Sequence, residues 1–88
     1  MSKREKTSQD KVEEGFRAAA ILTDPVFCEA ADALEAQWVD GWKKAKTTAE
    51  REEKWALVQA LHGVRDALGV TKDRGEIETL ITKRIAAR

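Results

Sequence analysis

Cys28 and His62 are the only cysteine and the only histidine of the 88-residue chain. A thiol or hydroxyl nucleophile needs a neighbouring base, and histidine commonly supplies it. If the chain forms an antiparallel helical hairpin, both residues fall towards the end away from the turn, which allows a contact. No glycine-rich turn that would expose a nucleophile accompanies them. We therefore interpret Cys28 as a small packed residue and His62 as a boundary residue.

Glu29, Asp32 and Glu35 form a row of carboxylates spaced by three residues, which places them on one face of a helix. Helical metal centres combine such carboxylates with a Glu-x-x-His motif, but Gln59 occupies the position three before His62. Neither an H-E-x-x-H motif nor a cysteine pair is present. The row is typical of a solvated face. We predict a non-enzyme with no catalytic residue, metal, cofactor or small-molecule substrate.

The composition indicates a soluble protein. Charged residues make up 36% of the chain, with 16 basic and 16 acidic side chains. No apolar run approaches the roughly 20 residues that a membrane helix needs, and the N-terminal residues do not form a signal peptide. A single cysteine excludes an intrachain disulfide and suits a reducing compartment. We therefore expect a cytoplasmic protein that does not enter a membrane.

The sequence contains several signals that mark where helices begin and end. Asp10 begins a D-x-x-E pattern that is typical of a capping box. Asp24 can cap a helix whose first residue is Pro25, a position that proline fits well. Thr47 opens a T-x-x-E pattern, and Gly69 fits the residue just beyond a helix. Asp73 with Glu76 repeats the cap pattern, so these signals predict four helices.

The predicted fold is all-α, with an antiparallel hairpin of two long helices flanked by a short N-terminal and a short C-terminal helix. Residues 1–8 are predicted to be a disordered tail, and residues 9–88 a single helical domain. The helices are expected at about residues 11–22, 25–46, 48–68 and 74–86. Trp42 and Trp55 lie at similar distances from the hairpin turn, so we expect them to meet there.

One glycine lies inside each of the first three predicted helices, whereas Gly75 ends the connector predicted from Val70 to Gly75. Gly15 is expected to weaken the first helix by roughly 1 kcal/mol relative to alanine. Gly41 and Gly63 interrupt the two long helices. They are explained either by simple tolerance and ordinary helix crossing or by a close approach of another group to the backbone.

A hairpin of two helices cannot cover both of its apolar stripes, which predicts a protein partner or a homo-oligomer. The C-terminal stripe is especially apolar, and tryptophan is enriched in interface hot spots. The predicted core and interface residues are Trp38, Trp42, Trp55, Ile77, Leu80, Ile81 and Ile85.

Nucleic-acid binding is the alternative, less favoured because the balanced net charge lacks the basic excess that drives phosphate binding. Glu50, Glu52 and Glu53 would also repel phosphates at the start of the third helix. The contacts would come from a basic C-terminal helix in a small packaging or regulatory factor. They would be Lys72, Arg74, Lys83, Arg84 and Arg88.

Residues 22–68 resemble a group of small helical proteins encoded among tailed-phage and prophage genes. The resemblance begins with the L-T-D-P-V-F segment at residues 22–27 and continues into a long helix with aromatic residues. A charged turn and a second apolar helix follow. The later matching positions are Ala33, Leu34, Trp38, Trp42, Leu57, Leu61, Val64 and Leu68. The resemblance implies an accessory role near virion assembly, in the host cytoplasm or the virion, and it carries over no functional residue.

Overall fold

A computed structural model describes residues 5–87 of the chain and shows three α-helices there, with no strand among those residues. Helix α1 spans Ser8–Thr23, α2 spans Pro25–Lys44 and α3 spans Thr48–Ala86. The predicted all-α class is confirmed. Residues 1–4 of the predicted disordered tail, and Arg88 of the predicted basic surface, lie outside the described residues.

Helix α1 begins at Ser8, three residues before the predicted start at Lys11. Thr7, and not Asp10, is the capping residue. Its hydroxyl accepts a hydrogen bond from the Asp10 backbone N–H at 3.1 Å, and the Asp10 carboxylate accepts one from the Thr7 N–H, also at 3.1 Å. This reciprocal pair is a capping box, displaced from the predicted one because Thr7 and Asp10 have the required spacing themselves.

The boundaries of α2 and the start of α3 follow their local caps. Asp24 accepts a hydrogen bond from the Phe27 N–H at 2.9 Å, with Pro25 in the first turn as predicted. Thr47 accepts one from the Glu50 N–H at 3.1 Å. Helix α2 ends at Lys44, two residues before the predicted end at Lys46.

Helix α3 runs unbroken for 39 residues, so the predicted end at Gly69 and the separate C-terminal helix are wrong. No glycine among the described residues has a positive φ, and Gly69 therefore does not form a left-handed cap. Within the predicted connector, the Thr71 hydroxyl donates to the Ala67 carbonyl at 3.1 Å, and Gly75 is buried against α1. The packing of Gly75 against α1 outweighs the low helix propensity of the glycines in this segment.

The described residues form two compact units. The α2 unit consists of residues 23–66, which hold α2 and the first part of α3. The α1 unit consists of residues 5–22 together with 67–87, which hold α1 and the second part of α3. The predicted single domain stays a prediction. In the described part of the chain, the buried apolar residues are only Ala18, Ala31 and Val58.

Candidate protein-interaction surfaces

The tryptophans of the α2 unit lie at the turn between its two helices. The rings of Trp42 and Trp55 are 6.1 Å apart between centroids and are tilted by 42°, so the predicted contact is confirmed. This spacing is within the range of favourable aromatic pairs. Trp38 is half-buried, whereas Trp55 remains 50% exposed. The aromatic pair therefore joins the helices and leaves apolar surface uncovered.

Arg65 connects α3 to two carboxylates of α2. Its guanidinium donates to Asp32 at 2.7 Å and to Glu35 at 3.3 Å. The hydrogen bond with Asp32 raises the pKa of the Arg65 guanidinium above its ordinary value. Asp32 and Glu35 thus contact α3. Asp32 remains exposed, as expected for a solvated row, whereas Glu35 is half-buried. Because these two ion pairs are partly exposed, each contributes little to stability, and together they mainly set the register of the two helices.

His62 lies beside the carboxylate of Glu35. Its Nε2 atom is 3.1 Å from the Oε1 atom of Glu35. As the contacts move towards the C-terminus on α2, from Asp32 to Glu35 to Trp42, they move towards the N-terminus on α3. The two helical segments of the α2 unit therefore run antiparallel. His62 serves this contact between helices, as expected for a boundary residue.

Gly15 of α1 and Gly75 of α3 bring two helical backbones together in the α1 unit. A Cβ atom added to Gly15 would lie 2.8 Å from the Gly75 Cα atom, and one added to Gly75 would lie 2.9 Å from the Lys11 carbonyl oxygen. Both distances are too short for a real side chain. Only glycine fits at either position, because its missing Cβ allows this approach.

An ion pair flanks the glycine contact. The Lys11 ammonium lies 3.3 Å from the Glu78 carboxylate. Hydrogen bonds from the Ser8 hydroxyl and from Lys11 lower the pKa of the Glu78 carboxyl below its ordinary value of 4.5. The carboxylate form of Glu78 is therefore favoured where α1 packs on α3.

Sequence reasoning missed this contact because it treated Gly15 as a weak point and Gly75 as part of a connector. The usable signal was a glycine within each of two otherwise helical patterns. At Gly41, an added Cβ would meet the Lys54 Cε atom at 3.2 Å, which is a contact with a flexible side chain. At Gly63, nothing lies within 4 Å. Close backbone approach is thus absent at Gly63 and modest at Gly41.

A groove of about 440 Å³ lies along the glycine contact, within the α1 unit. Apolar side chains dominate its walls, and Phe16 and Leu80 remain 69% and 66% exposed. The side chains that line the groove are Val12, Phe16, Ala19, Leu80, Lys72, Glu76 and Thr79.

A second apolar surface follows the outer side of α3 in the α1 unit. We call it the α3 outer stripe and define it as Val70, Ile77, Leu80 and Ile81, all of which are exposed. At 3.6 residues per turn, these four positions lie about 120–160° around the helix from Gly75. The stripe therefore lies mainly on the side of α3 away from α1, and Leu80 at its border also lines the groove. Ile85 is also exposed and lies at its edge.

The predicted nucleic-acid surface is mixed in charge. Lys72 pairs with Glu76 at 3.2 Å within α3 and borders the groove. Arg74, Lys83 and Arg84 are exposed, but Asp73 lies in the same helix. Nucleic-acid binding by these residues stays a prediction.

Three further observations concern membrane spanning, metal binding and similarity to known proteins. Across residues 5–87, no helix combines the length and apolar character needed to span a membrane. In the same residues, no cluster of three histidine, cysteine or acidic side chains is arranged to hold a metal ion. Comparison with known proteins finds no matching family model, no similar curated protein and no similar solved structure.

Proposed function

We propose that this chain is a non-enzymatic helical module that binds other protein chains through apolar surface on its helices. The supporting observation is the imbalance between buried and exposed apolar groups. Twelve large apolar side chains are exposed in the described part of the chain, while the buried apolar residues there are one valine and two alanines. Contiguous exposed apolar patches on a protein commonly mark interaction sites.

The proposed binding surface combines the groove and the α3 outer stripe, which share Leu80. Both lie on the α1 unit, where side chains of α1 and α3 provide apolar walls and charged residues provide a rim. Interfaces typically have this arrangement of an apolar centre with a polar border. The resemblance of residues 22–68 to helical phage and prophage proteins supports a role near virion assembly, which remains part of the proposal.

Binding of a fluorescent apolar dye tests this proposal on the folded chain at low micromolar concentration. We expect the dye to bind, and we expect Ile77→Ser combined with Leu80→Ser to remove about half of the signal while helicity is retained, because the patch is lost. Val64→Ser is the matched control, since Val64 is 53% exposed but lies outside both surfaces. Equal signal loss in the control, or a folded monomer that binds no dye, would contradict the proposal.

A further inference from the structure

The α3 outer stripe is complementary to itself, and we propose that its occupant is a second copy of this chain, paired antiparallel along α3. This inference rests on the proposed function and names its partner. The stripe places Ile77 and Leu80 at its centre, 57% and 66% exposed. In an antiparallel pair of helices, a residue early in one segment faces a residue late in the other. Ile77 of each copy would then pack on Leu80 of the other.

The charges beside the stripe fit this register. Asp73 lies four residues before Ile77, and Arg84 lies four residues after Leu80. The same antiparallel alignment therefore sets Asp73 of one copy opposite Arg84 of the other, at both ends of the apolar contact. Both side chains are exposed. Twofold symmetry makes each such contact occur twice.

A second charge pair lies on one flank of the same face. Glu76 and Lys83 are both exposed, and antiparallel pairing brings Glu76 of one copy beside Lys83 of the other. Glu76 also pairs with Lys72 in its own helix, but that exposed contact is weak and readily exchanged. On the other flank, Arg74 would cover Ile81 with its aliphatic stem.

A parallel alignment in register would have the opposite electrostatic result. Asp73 would face Asp73 and Arg84 would face Arg84 of the second copy, and like charges placed opposite each other suppress pairing. Charge therefore selects the antiparallel arrangement. The segment from Asp73 to Arg84 is only about 18 Å long, so its contact area is smaller than that of a typical stable complex. We expect association in the micromolar range.

A charge exchange tests this pairing by sedimentation velocity over a range of concentrations. Arg84→Glu should weaken the association at least tenfold, because it creates two like-charge contacts with Asp73. The double variant Asp73→Arg with Arg84→Glu should restore the association to within about threefold. Arg51→Glu, at an exposed position early in the same helix, makes the same change in net charge and should have little effect.

The possible outcomes separate this inference from the proposed function. Association that Arg84→Glu leaves unchanged, or that the charge exchange fails to restore, overturns the antiparallel pairing. A chain that stays monomeric at 1 mM and binds the apolar dye overturns self-pairing and leaves the proposed function standing. A monomer that binds no dye overturns both. Circular dichroism of each variant verifies that helicity is retained.

Discussion

Helix α3 belongs to both units of the chain but packs differently in each. In the α2 unit, long side chains make the contact, through the Trp42–Trp55 pair and the bonds from Arg65 to Asp32 and Glu35. In the α1 unit, two backbones approach directly at Gly15 and Gly75. One continuous helix therefore changes its mode of packing where the residues at the contact change from long side chains to glycine.

The two modes differ in how they tolerate substitution. Long side chains can adjust their rotamers, and partly exposed ion pairs contribute little individually. A glycine contact has no such freedom, because an added Cβ atom must displace a backbone. We therefore expect the α1 unit to be the more sensitive of the two to a single added methyl group.

Gly15→Ala should have the largest effect. We expect it to lower the free energy of unfolding of the α1 unit by roughly 1–3 kcal/mol, because the added Cβ would lie 2.8 Å from the Gly75 Cα atom. Hydrogen exchange measures the effect unit by unit. Amides of α1 should lose protection, while those of α2 should keep theirs.

Gly69→Ala is the control for this substitution. Nothing lies within 4 Å of a Cβ atom at Gly69, so alanine should stabilise α3 by up to about 1 kcal/mol through its higher helix propensity. If both substitutions stabilise the chain, the glycine contact is not what joins α1 to α3.

Val58→Ala should have a smaller effect, confined to the α2 unit. Val58 is 2% exposed, and losing its buried methyl groups should lower the free energy of unfolding by roughly 1–2 kcal/mol. Val64→Ala on the same helix should change it by less than about 0.5 kcal/mol, because Val64 is 53% exposed. Chemical denaturation measures both. Equal effects would contradict the assignment of Val58 to the core.

The pH dependence of the α1 unit should give the smallest effect. The pKa of Glu78 is lowered on folding, so its stabilising contribution is fully present above the ordinary value of 4.5 and is lost as the pH falls through the lowered value. Protection of the α1 amides, measured by hydrogen exchange across this range, should therefore fall in acid.

Glu78→Gln should flatten this part of the acid profile, since the uncharged amide cannot pair with Lys11 as a carboxylate does. Glu53→Gln, which changes an exposed carboxyl in the first turns of α3, is the matched control and should keep the original profile. Identical profiles for the two variants would show that Glu78 does not contribute to the contact.

Local signals made the α2 unit predictable. Asp24 and Thr47 cap their helices through hydrogen bonds to residues three positions later, and this interaction is encoded within a few residues. A short turn between capped helices then fixes which residues face each other. The meeting of Trp42 and Trp55 followed from that register without knowledge of the rest of the chain.

The α1 unit could not be predicted in the same way because its contact is long-range. Gly69 and Gly75 have poor helix propensity, and sequence alone favoured a break between them. The segment is helical in a structure where α1, some 60 residues earlier in the chain, packs on Gly75. A tertiary contact of this kind leaves only a weak local signal, a glycine in each helix.

The tryptophans of the chain are confined to one of its two units, so fluorescence and circular dichroism report on different parts of the molecule. All three tryptophans, Trp38, Trp42 and Trp55, belong to the α2 unit. Intrinsic fluorescence therefore monitors that unit, whereas far-ultraviolet circular dichroism sums over every helix. Two melting curves from one unlabelled sample will coincide if the units unfold together and will separate if they do not.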